Sequence, residues 1–558
     1  MTIFSFDKGI GFCIMTVENY NKKLEDIVHL PQFEKVQPKR KNEKNPILKE
    51  EERITLILKE LKEKNKISES LFSRLKPTGS QPPRLYGLAK IHKRNVPVRP
   101  VLSMPGSVYY KIGNMVSKWL SVVTECNINS STKTISECLP SIELADETEL
   151  VSFDVSSLYT NVPLKEAIED CTELLYSGKY PKPPVDRQTF VELVSLCSEN
   201  VIMLTQDGYY RQIDGLAMGS PPAPQLANGW MNKFDNLIKG EAKLYARYMD
   251  DILREINKSE INGKLNEINN LHPALNFTIE REIDSAIPFL DMKIERSQGK
   301  LSSKWYTKPT DTGLTLNFHS LTPLKYKKSV VSGLIHRVHR ACSNWHNFHE
   351  SLKKAKIILE SNQYPKSFYD PIIKKTLNNI LTKSDKKEDE DNEEEEHKMI
   401  FVSYRGKVSE RFEQSLMKLK APCKIIFMLK KLKSCLPSLK PQVEKSFKSG
   451  VVYQIKCSRC SACYVGQTTR HLVYRIKEHR RNGPVANHMK ACNLELTMDN
   501  VSILCSNTKS TYKLMTLEAL MINEIKPTLN TKDEYRSRSL VIKILLYCFI
   551  LMSLETFF

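Results

Sequence analysis

Two separated stretches of the sequence supply carboxylates in a pattern that suits divalent metal ions. Asp154 ends the apolar run 149–154, and Asp250 and Asp251 form an adjacent pair inside the run 244–253. Mg²⁺ prefers oxygen ligands, and two such ions can stabilise both the entering and the leaving oxygens when a phosphodiester bond is made. Aspartates from neighbouring strands would meet that demand, so the pattern predicts a nucleotide-joining centre with these three residues as magnesium ligands.

The flanking residues indicate which elements position these acids. Leu244 and Tyr245 precede the aspartate pair and Ile252 and Leu253 follow it, as in a hairpin whose tip carries acids. Pro163 suits the start of a helix. The apolar spacing elsewhere predicts helices over 48–75, 164–176, 223–239 and 325–359, and a strand–loop–strand over the proline-rich basic segment 77–100.

A second group of polar residues lies near the carboxy terminus. Tyr453 in GVVY and Tyr464 in CYVG are eleven residues apart. Four further residues follow them: Arg475, His479, Glu518 and Asn530. Glu518 lies in the apolar stretch LMTLEALMI, where a carboxylate is costly unless it is paired or bound to a metal. These residue types suit the hydrolysis of a phosphodiester.

Three cysteines lie between the two tyrosines. Cys457, Cys460 and Cys463 follow the spacing C-x2-C-x2-C, which suggests a Zn²⁺ site. The spacing does not identify the fourth ligand, for which the candidates are His479, His488 and Cys492. Reduced cysteines without a metal are the alternative interpretation.

Composition limits the class of protein. The 84 Lys and Arg against 64 Asp and Glu give a net charge of +20 on 558 residues, which favours a polyanionic partner, nucleic acid before a membrane surface. The 41% apolar share excludes wholesale disorder. Fourteen cysteines without a signal peptide predict a reduced, intracellular protein rather than a disulfide framework.

The sequence around the first carboxylates resembles reverse transcriptases. RYMDD is similar to their motif C, FDVSSLYTNVP to motif A and LAMGSPPAPQLANGWM to motif B. LYGLAKIHK and VPVRPVLS resemble the basic fingers motif, and KWYTKPTDTGLTLNFHS at 304–320 corresponds by its place to the primer grip and thumb entry.

This resemblance implies roles for individual residues. Asp154 and Asp250 would bind two Mg²⁺ with Asp251 assisting, and Tyr159 would stack under the sugar and exclude a 2′-hydroxyl. The triphosphate would be bound by Arg99 with Lys90 or Lys93. Gly219 and Ser220 would form the turn beside the template base. Retroviral enzymes carry a Gln-Gly pair before this turn, whereas this chain has Gly215 at the first position, which argues against a glutamine contact.

The carboxy-terminal segment resembles GIY-YIG endonucleases, with Val-Val-Tyr and Tyr-Val-Gly in place of the two name triplets. The resemblance implies that Tyr453 or a metal activates the attacking water and that Arg475 stabilises the phosphate. Glu518 would hold one Mg²⁺, and His479 or Tyr464 would take part in proton transfer.

A reverse transcriptase followed by such a nuclease resembles Penelope-like retroelement proteins, whose amino-terminal DKG region is similar to residues 5–28. The likeness implies that the nuclease nicks chromosomal target DNA in the nucleus and that the freed 3′-hydroxyl primes copying of the element RNA from dNTPs. It also implies an α+β multidomain fold, a right-hand polymerase followed by a small α/β nuclease. The expected segments are 1–140 (amino-terminal region and fingers), 141–320 (palm), 321–382 (thumb-like helices), 383–449 (acidic then basic linker), 450–535 (GIY-YIG nuclease) and 536–558 (apolar tail).

Three other interpretations stay open. The first is a catalytically inactive, truncated relic that only binds nucleic acid, since the chain begins almost at the DKG region. The second is a membrane-tethered interaction protein that uses 540–558. The uninterrupted apolar core 544–554 rises only about 16 Å as a helix against about 30 Å of hydrocarbon, which disfavours this anchor. The third is a cellular enzyme with polymerase or telomere-end activity alone.

Overall fold

The structure is a computed structural model that describes residues 1–530 apart from positions 8, 10, 37–44, 92, 126–130, 385–397, 420–422, 430–434, 437 and 507–509. The acidic run from Asp385 to Glu396 and the apolar tail 536–558 therefore lie outside the described residues. Among the described residues, no helix combines the length and the apolarity needed to cross a membrane.

The amino-terminal segment alternates short strands with helices. Its longest helix starts where the sequence provides a cap, because the Asn45 side chain accepts a hydrogen bond from the Ile47 N–H and Pro46 occupies the first turn. The elements are β1 (Thr2–Ser5), β2 (Phe12–Met15), α1 (Val17–Val28), β3 (Phe33–Lys35), α2 (Pro46–Glu63), α3 (Glu69–Leu75), β4 (Arg84–Ala89), β5 (Val98–Ser103), α4 (Tyr110–Glu125) and α5 (Thr132–Cys138).

The middle of the chain carries the predicted carboxylates. As expected, a helix begins directly after Pro163, and the apolar run before Asp154 is a strand. The elements are β6 (Thr148–Val155), α6 (Leu158–Asn161), α7 (Leu164–Tyr176), α8 (Arg187–Ser198), β7 (Val201–Thr205), β8 (Gly208–Gln212), α9 (Ala223–Lys239), β9 (Tyr245–Tyr248), β10 (Asp251–Asn257), α10 (Ile261–Asn269), β11 (Phe277–Arg281), β12 (Ala286–Phe289), β13 (Met292–Ser297) and β14 (Lys300–Trp305).

Four of these strands form an antiparallel sheet in the order β11–β6–β10–β9, named the central sheet below. Val151 and Phe153 on β6 belong to the apolar core that includes residues of α4, α7 and α9. Leu150 on the opposite face belongs to a second core, formed with β12–β14 and the helices that follow. Side chains alternate along a strand, so Asp154 lies on the Leu150 face, but at the strand end, where it is exposed. The fold therefore leaves this end of the sheet open.

A second sheet, in the order β3–β8–β7–β4–β5, lies beside the central sheet in the same apolar core. Its β4 and β5 are antiparallel and correspond to the strand–loop–strand predicted for 77–100. The predicted helix over 48–75 is interrupted between α2 and α3, because Ser68 caps a new helix by accepting from the Leu71 N–H.

Three helices and a small β–α–β unit follow β14. The stretch predicted as helical over 325–359 forms two helices, because Asn344 caps the second by accepting from the Asn347 N–H. The segment after the acidic run, expected to be a connector, instead contains two parallel strands joined by a helix. Tyr326 ties this unit to the first helix, since its hydroxyl bonds the Phe427 N–H (2.9 Å) and C=O (3.1 Å). The elements are α11 (Leu324–Ala341), α12 (Trp345–Ser361), α13 (Lys366–Ser384), β15 (Lys398–Ser403), α14 (Lys407–Lys418) and β16 (Cys423–Met428).

The carboxy-terminal part forms a three-stranded antiparallel sheet in the order β18–β17–β19, with helices around it. Tyr453 lies on β17 and Tyr464 on β18, and these two strands pair with each other. The elements are β17 (Val451–Lys456), β18 (Cys463–Thr468), α15 (Leu472–Arg481), α16 (Pro484–Ala491), β19 (Val501–Cys505) and α17 (Thr511–Ile525).

A loop at 77–81 joins this carboxy-terminal part to α2. The Glu51 carboxylate accepts from the backbone N–H groups of Gly79 and Ser80, each over 2.9 Å. The imidazole of His471, which is 2% exposed, donates from Nε2 to the Ser80 carbonyl over 2.8 Å. Gln81 Nε2 reaches the Phe447 carbonyl over 2.9 Å. The two halves of the chain thus meet through one buried and several partly buried hydrogen bonds.

Candidate functional site

The central sheet brings the three predicted aspartates together. Asp251 opens β10 and is the direct cross-strand partner of Asp154 on β6. Directly opposed antiparallel residues have Cα atoms about 4.5–5.5 Å apart. Asp250 lies in the turn just before β10, and its carbonyl accepts from the Val155 N–H over 3.1 Å. The hairpin predicted from the apolar flanks is present, with the acids at its tip.

The donor set at this strand end fits Mg²⁺. Asp154 is exposed, and Asp250 and Asp251 are half-buried. Carboxylate oxygens from two adjacent strands, open to solvent on one side, are the kind of ligand set that this ion takes together with substrate oxygens and water. These three residues are the ones that would hold it.

Tyr159 lies within electrostatic reach of this turn. Burial, followed by the negative charge of Asp250, raises the pKa of the Tyr159 phenol to about 12, and the positive charge of Arg99 opposes that rise. The Tyr159 carbonyl also accepts from the Leu216 N–H over 2.6 Å. An uncharged aromatic ring therefore lies near both Asp250 and the predicted clamp residue Arg99.

The predicted clamp residue Arg99 lies beside an acidic side chain. It is on β5 and forms an ion pair, Nε to Asp7 Oδ2 at 3.3 Å, with an Asp7 side chain that is only 4% exposed. Asp7 is held there because its N–H donates to the Ala89 carbonyl over 2.8 Å. Asp7 was missed by residue-level reasoning, although it lies in the segment that resembles the DKG region.

The two predicted lysines differ in their position. Lys90 extends the β4–β5 pairing, donating its N–H to the Pro97 carbonyl over 2.8 Å, and so lies on the same sheet face as Arg99. Lys93 is exposed in the connecting turn. The sheet geometry favours Lys90 over Lys93 as the partner of Arg99.

The predicted turn before α9 packs against β5. Gly219 has φ +109°, and a Cβ there would lie 2.3 Å from the Leu102 carbonyl oxygen, so only glycine fits. The Ser220 hydroxyl is buried and has no hydrogen-bond partner among the described residues. Gly215 also needs its glycine, since its φ is +75° and a Cβ would lie 2.7 Å from the Thr160 carbonyl. The backbone therefore requires glycine at position 215, where retroviral enzymes carry glutamine.

The carboxy-terminal sheet gathers a second set of predicted residues around one phenol. Tyr453 is fully buried, and its oxygen lies 2.8 Å from His479 Nε2 and 3.2 Å from Arg475 Nε. Arg475 donates to the Tyr453 oxygen, and the tautomer of His479 decides which of the two groups donates in the Tyr453–His479 bond. Burial raises the Tyr453 pKa far above its usual range. The pair is therefore a neutral phenol beside a neutral imidazole.

The other predicted residues of this group surround the same phenol. The Tyr464 ring stacks edge-on to His479 with centroids 4.8 Å apart. Glu518 on α17 is close enough that its charge helps raise the Tyr453 pKa. A Cβ at Gly466 would lie 2.8 Å from the Tyr453 hydroxyl, which explains the glycine of Tyr-Val-Gly. Asn530 bonds both backbone groups of Val465 and so orders this strand.

His479 makes the stability of this part depend on pH. Burial, and then the charge of Arg475, lower its pKa to about 4, with Glu478 opposing and Tyr453 and Tyr464 as neutral neighbours. The unfolded imidazole takes up a proton near pH 6.5. The neutral imidazole therefore makes its full contribution to the free energy of unfolding above pH 6.5. The free energy of unfolding falls by about 3 kcal/mol as the pH drops to 4.

Thermal denaturation of the full chain checks this expectation. In His479→Gln, the free energy of unfolding of the carboxy-terminal part should fall less between pH 7 and pH 4 than it does in the wild type. An equal loss in both proteins would show that other groups cause the acid sensitivity.

The cysteine cluster differs in one member from the sequence prediction. Cys457, Cys460, His488 and Cys492 have ligand atoms that all lie within 4.8 Å of one another. The predicted Cys463 lies outside this group, because it begins β18 and its backbone bonds Thr528 and Leu529. The pKa of the Cys457 thiol is lowered to about 6, mainly because the Arg459 N–H donates to its sulfur, with further hydrogen bonds from His488 and Cys460. Three thiols and one imidazole fit a tetrahedral Zn²⁺ site.

Zinc removal is expected to unfold the carboxy-terminal part. Purified wild-type chain should contain one zinc per molecule by elemental analysis, and His488→Ala should lose it, since structural zinc contributes about 10 kcal/mol or more to folding. Cys463→Ser is the matched control and should keep the zinc. If Cys463→Ser lost the zinc and His488→Ala kept it, Cys463 would be a zinc ligand, as its spacing predicted, and His488 would not.

Comparisons with known proteins bear on the first site. Residues 91–282 match the family "Reverse transcriptase (RNA-dependent DNA polymerase)", and residues 314–374 match "Animal helix-turn-helix domain". A search of curated protein sequences finds no match.

Several solved structures are similar in part. Telomerase from Candida albicans, solved with the TWJ fragment of telomeric RNA, shares 14% identity over 55% of this chain and 58% of its own, with a TM-score of 0.38. Apo telomerase from Candida tropicalis shares 11% identity over 55% of this chain and 58% of its own, with a TM-score of 0.33. The Sicinivirus 3Dpol RNA-dependent RNA polymerase shares 12% identity over 51% of this chain and 64% of its own, with a TM-score of 0.31. The chain thus spans less than two thirds of each. The family match over 91–282, which includes Asp154, Asp250 and Asp251, identifies a reverse transcriptase domain in this chain.

Proposed function

We propose that the chain is an RNA-directed DNA polymerase with its catalytic centre at the tip of the β9–β10 hairpin. The observation that carries the proposal is the pairing of Asp154 with Asp251, with the Asp250 carbonyl bonded to Val155. Asp154, Asp250 and Asp251 would hold two Mg²⁺, which supply charge stabilisation for the oxygens of the phosphate undergoing transfer.

The surrounding residues suit a deoxynucleotide. Arg99 with Lys90 would bind the triphosphate, since a guanidinium meets phosphate oxygens with two parallel donors. Asp7 keeps Arg99 in place until the triphosphate arrives. The neutral Tyr159 ring would lie under the sugar and collide with a 2′-hydroxyl. Gly219 and the unpartnered Ser220 hydroxyl would adjoin the base pair being formed.

We further propose that the carboxy-terminal part is a DNA endonuclease of the GIY-YIG type. The Tyr453–His479–Arg475 cluster supports this, because it brings an imidazole and a guanidinium within hydrogen-bond distance of one phenol, and Arg475 would stabilise the charge of the phosphate. Glu518 would hold one Mg²⁺, and Tyr464 keeps the imidazole in position. The zinc cluster would hold the β17–β18 turn and α16 together.

The two activities together suit target-primed reverse transcription by a Penelope-like element protein. The nuclease would nick chromosomal DNA, and the freed 3′-hydroxyl would prime copying of the element RNA from dNTPs in the nucleus. A net charge of +20 suits a protein that holds an RNA–DNA hybrid by its backbone.

One assay on purified chain tests the proposal. With Mg²⁺, an RNA template and an annealed DNA primer, the wild type should extend the primer with dNTPs and at least about 100-fold less efficiently with rNTPs. A supercoiled plasmid in a parallel reaction should be nicked. A folded chain that retains RNA but does neither would establish the inactive relic instead, and extension without nicking would leave a polymerase alone.

A further inference from the structure

One guanidinium lies fully buried beside the β9–β10 turn. Arg247 is 0% exposed, and its fork makes two bonds to the Asp235 carboxylate, at 2.6 and 2.8 Å. Nη2 also donates to Asn232 Oδ1 over 2.7 Å. Nη1 donates to Asn228 Oδ1 over 3.1 Å and to the Met249 carbonyl over 3.3 Å. Every nitrogen of the fork therefore has a defined acceptor.

The side-chain acceptors come from one face of one helix. Asn228, Asn232 and Asp235 are spaced by four and three residues along α9, so they point in one direction. The Tyr245 hydroxyl donates to the same Asp235 carboxylate over 2.6 Å. Since α9 begins directly after the Gly219 turn, Arg247 connects the helix behind that turn to the strand that leads to the aspartates.

The remaining acceptor lies in an unusual backbone conformation. Met249 has φ +59°, in the left-handed region that side chains other than glycine rarely adopt. This conformation reverses the chain so that Asp250 bonds Val155 and Asp251 lies opposite Asp154. The Arg247 bond therefore holds the carbonyl of the residue whose conformation reverses the chain.

We propose that Arg247 is a positioning residue for the metal-binding aspartates. It holds Met249 in the left-handed conformation against α9 and so fixes where Asp250 and Asp251 point. This inference rests on the proposed polymerase function, but concerns a residue that contacts neither metal nor nucleotide.

Arg247→Lys is the first test, because lysine keeps the charge but loses the fork. We expect kcat for primer extension to fall about 10–100-fold while KM for dNTP changes less than about threefold, and the half-saturating Mg²⁺ concentration to rise. Should Arg247→Lys fail to fold, Asn228→Ala removes the partner that orients Nη1 and should shift Mg²⁺ dependence in the same direction.

A second substitution separates positioning from general stability. Glycine adopts φ +59° without strain, whereas alanine does not. Met249→Gly in the Arg247→Lys background should therefore recover most of the lost Mg²⁺ response, and Met249→Ala in the same background should not. Equal effects of glycine and alanine, or a loss that follows only the melting temperature, would overturn the proposal.

A readout without polymerase activity completes the test. Fe²⁺ bound at the aspartates should direct hydroxyl-radical cleavage of the backbone near 154 and 250, and Arg247→Lys should weaken this cleavage about tenfold, with restoration by Met249→Gly. If cleavage and extension were both unchanged in Arg247→Lys, the positioning role would be rejected and the polymerase proposal would stand. A wild type that binds Fe²⁺ there but extends no primer would reject the polymerase proposal, while the cleavage comparison still decides the role of Arg247.

Discussion

Asp250→Asn is expected to abolish primer extension, with a loss of about 10³-fold or more, roughly 4 kcal/mol of transition-state stabilisation. The amide keeps the size of the side chain but removes the negative charge that a magnesium ligand needs. The backbone carbonyl that bonds Val155 is unchanged, so the turn should persist. Gel-resolved extension of a DNA primer on an RNA template measures the loss.

Asp146→Asn is the matched control for this substitution. Asp146 is exposed just before β6, at the end of that strand opposite to Asp154. The Asp146→Asn variant should extend primers at the wild-type rate. Both Asp146→Asn and Asp250→Asn should melt at the wild-type temperature and nick plasmid DNA normally. Asp250→Asn activity within about tenfold of wild type would contradict a catalytic centre at this turn.

The second large effect is expected at Glu518. Glu518→Gln should reduce plasmid nicking about 10³-fold, because the amide no longer supplies a charged oxygen ligand near the Tyr453–Arg475 pair. Primer extension from a pre-annealed primer should stay unchanged, since the two centres use different elements. Conversion of supercoiled to open-circular plasmid measures the first activity in the same preparation that is assayed for the second.

The helix that carries Glu518 provides its own control. Glu524 lies on the same α17, is exposed and can be changed to glutamine with the same loss of charge. Normal nicking by Glu524→Gln and none by Glu518→Gln would assign the effect to the position. Parallel losses in both variants would indicate a damaged helix, and normal nicking by both would remove Glu518 from the nuclease.

The sequence predicted local features of the fold well. Short apolar runs ending at Asp154 and flanking the aspartate pair indicated strands, and the structure pairs β6 directly with β10. The α+β class and the reverse transcriptase domain agree with the prediction. The breaks after α2 and α11 were missed because an N-cap residue within a long helical pattern is a weak signal against many apolar matches.

Features that depend on long-range contact were harder to predict. The candidate zinc ligands His488 and Cys492 lie on α16 and directly after it, whereas Cys463 had the better spacing but belongs to a strand. Arg247 opens the RYMDD motif but received no role of its own from the sequence, because its three side-chain acceptors lie on a helix twelve to nineteen residues earlier. The Asp7–Arg99 pair likewise spans 92 positions, beyond any local pattern.

The hydrogen bonds at the 77–81 loop have a consequence for timing. Glu51, Ser80 and His471 join the part proposed to cut DNA to the part proposed to copy RNA, so both proposed centres belong to one folded unit. If both proposals hold, elongation of a freshly cut end should follow first-order kinetics, with a half-time that does not depend on the protein concentration.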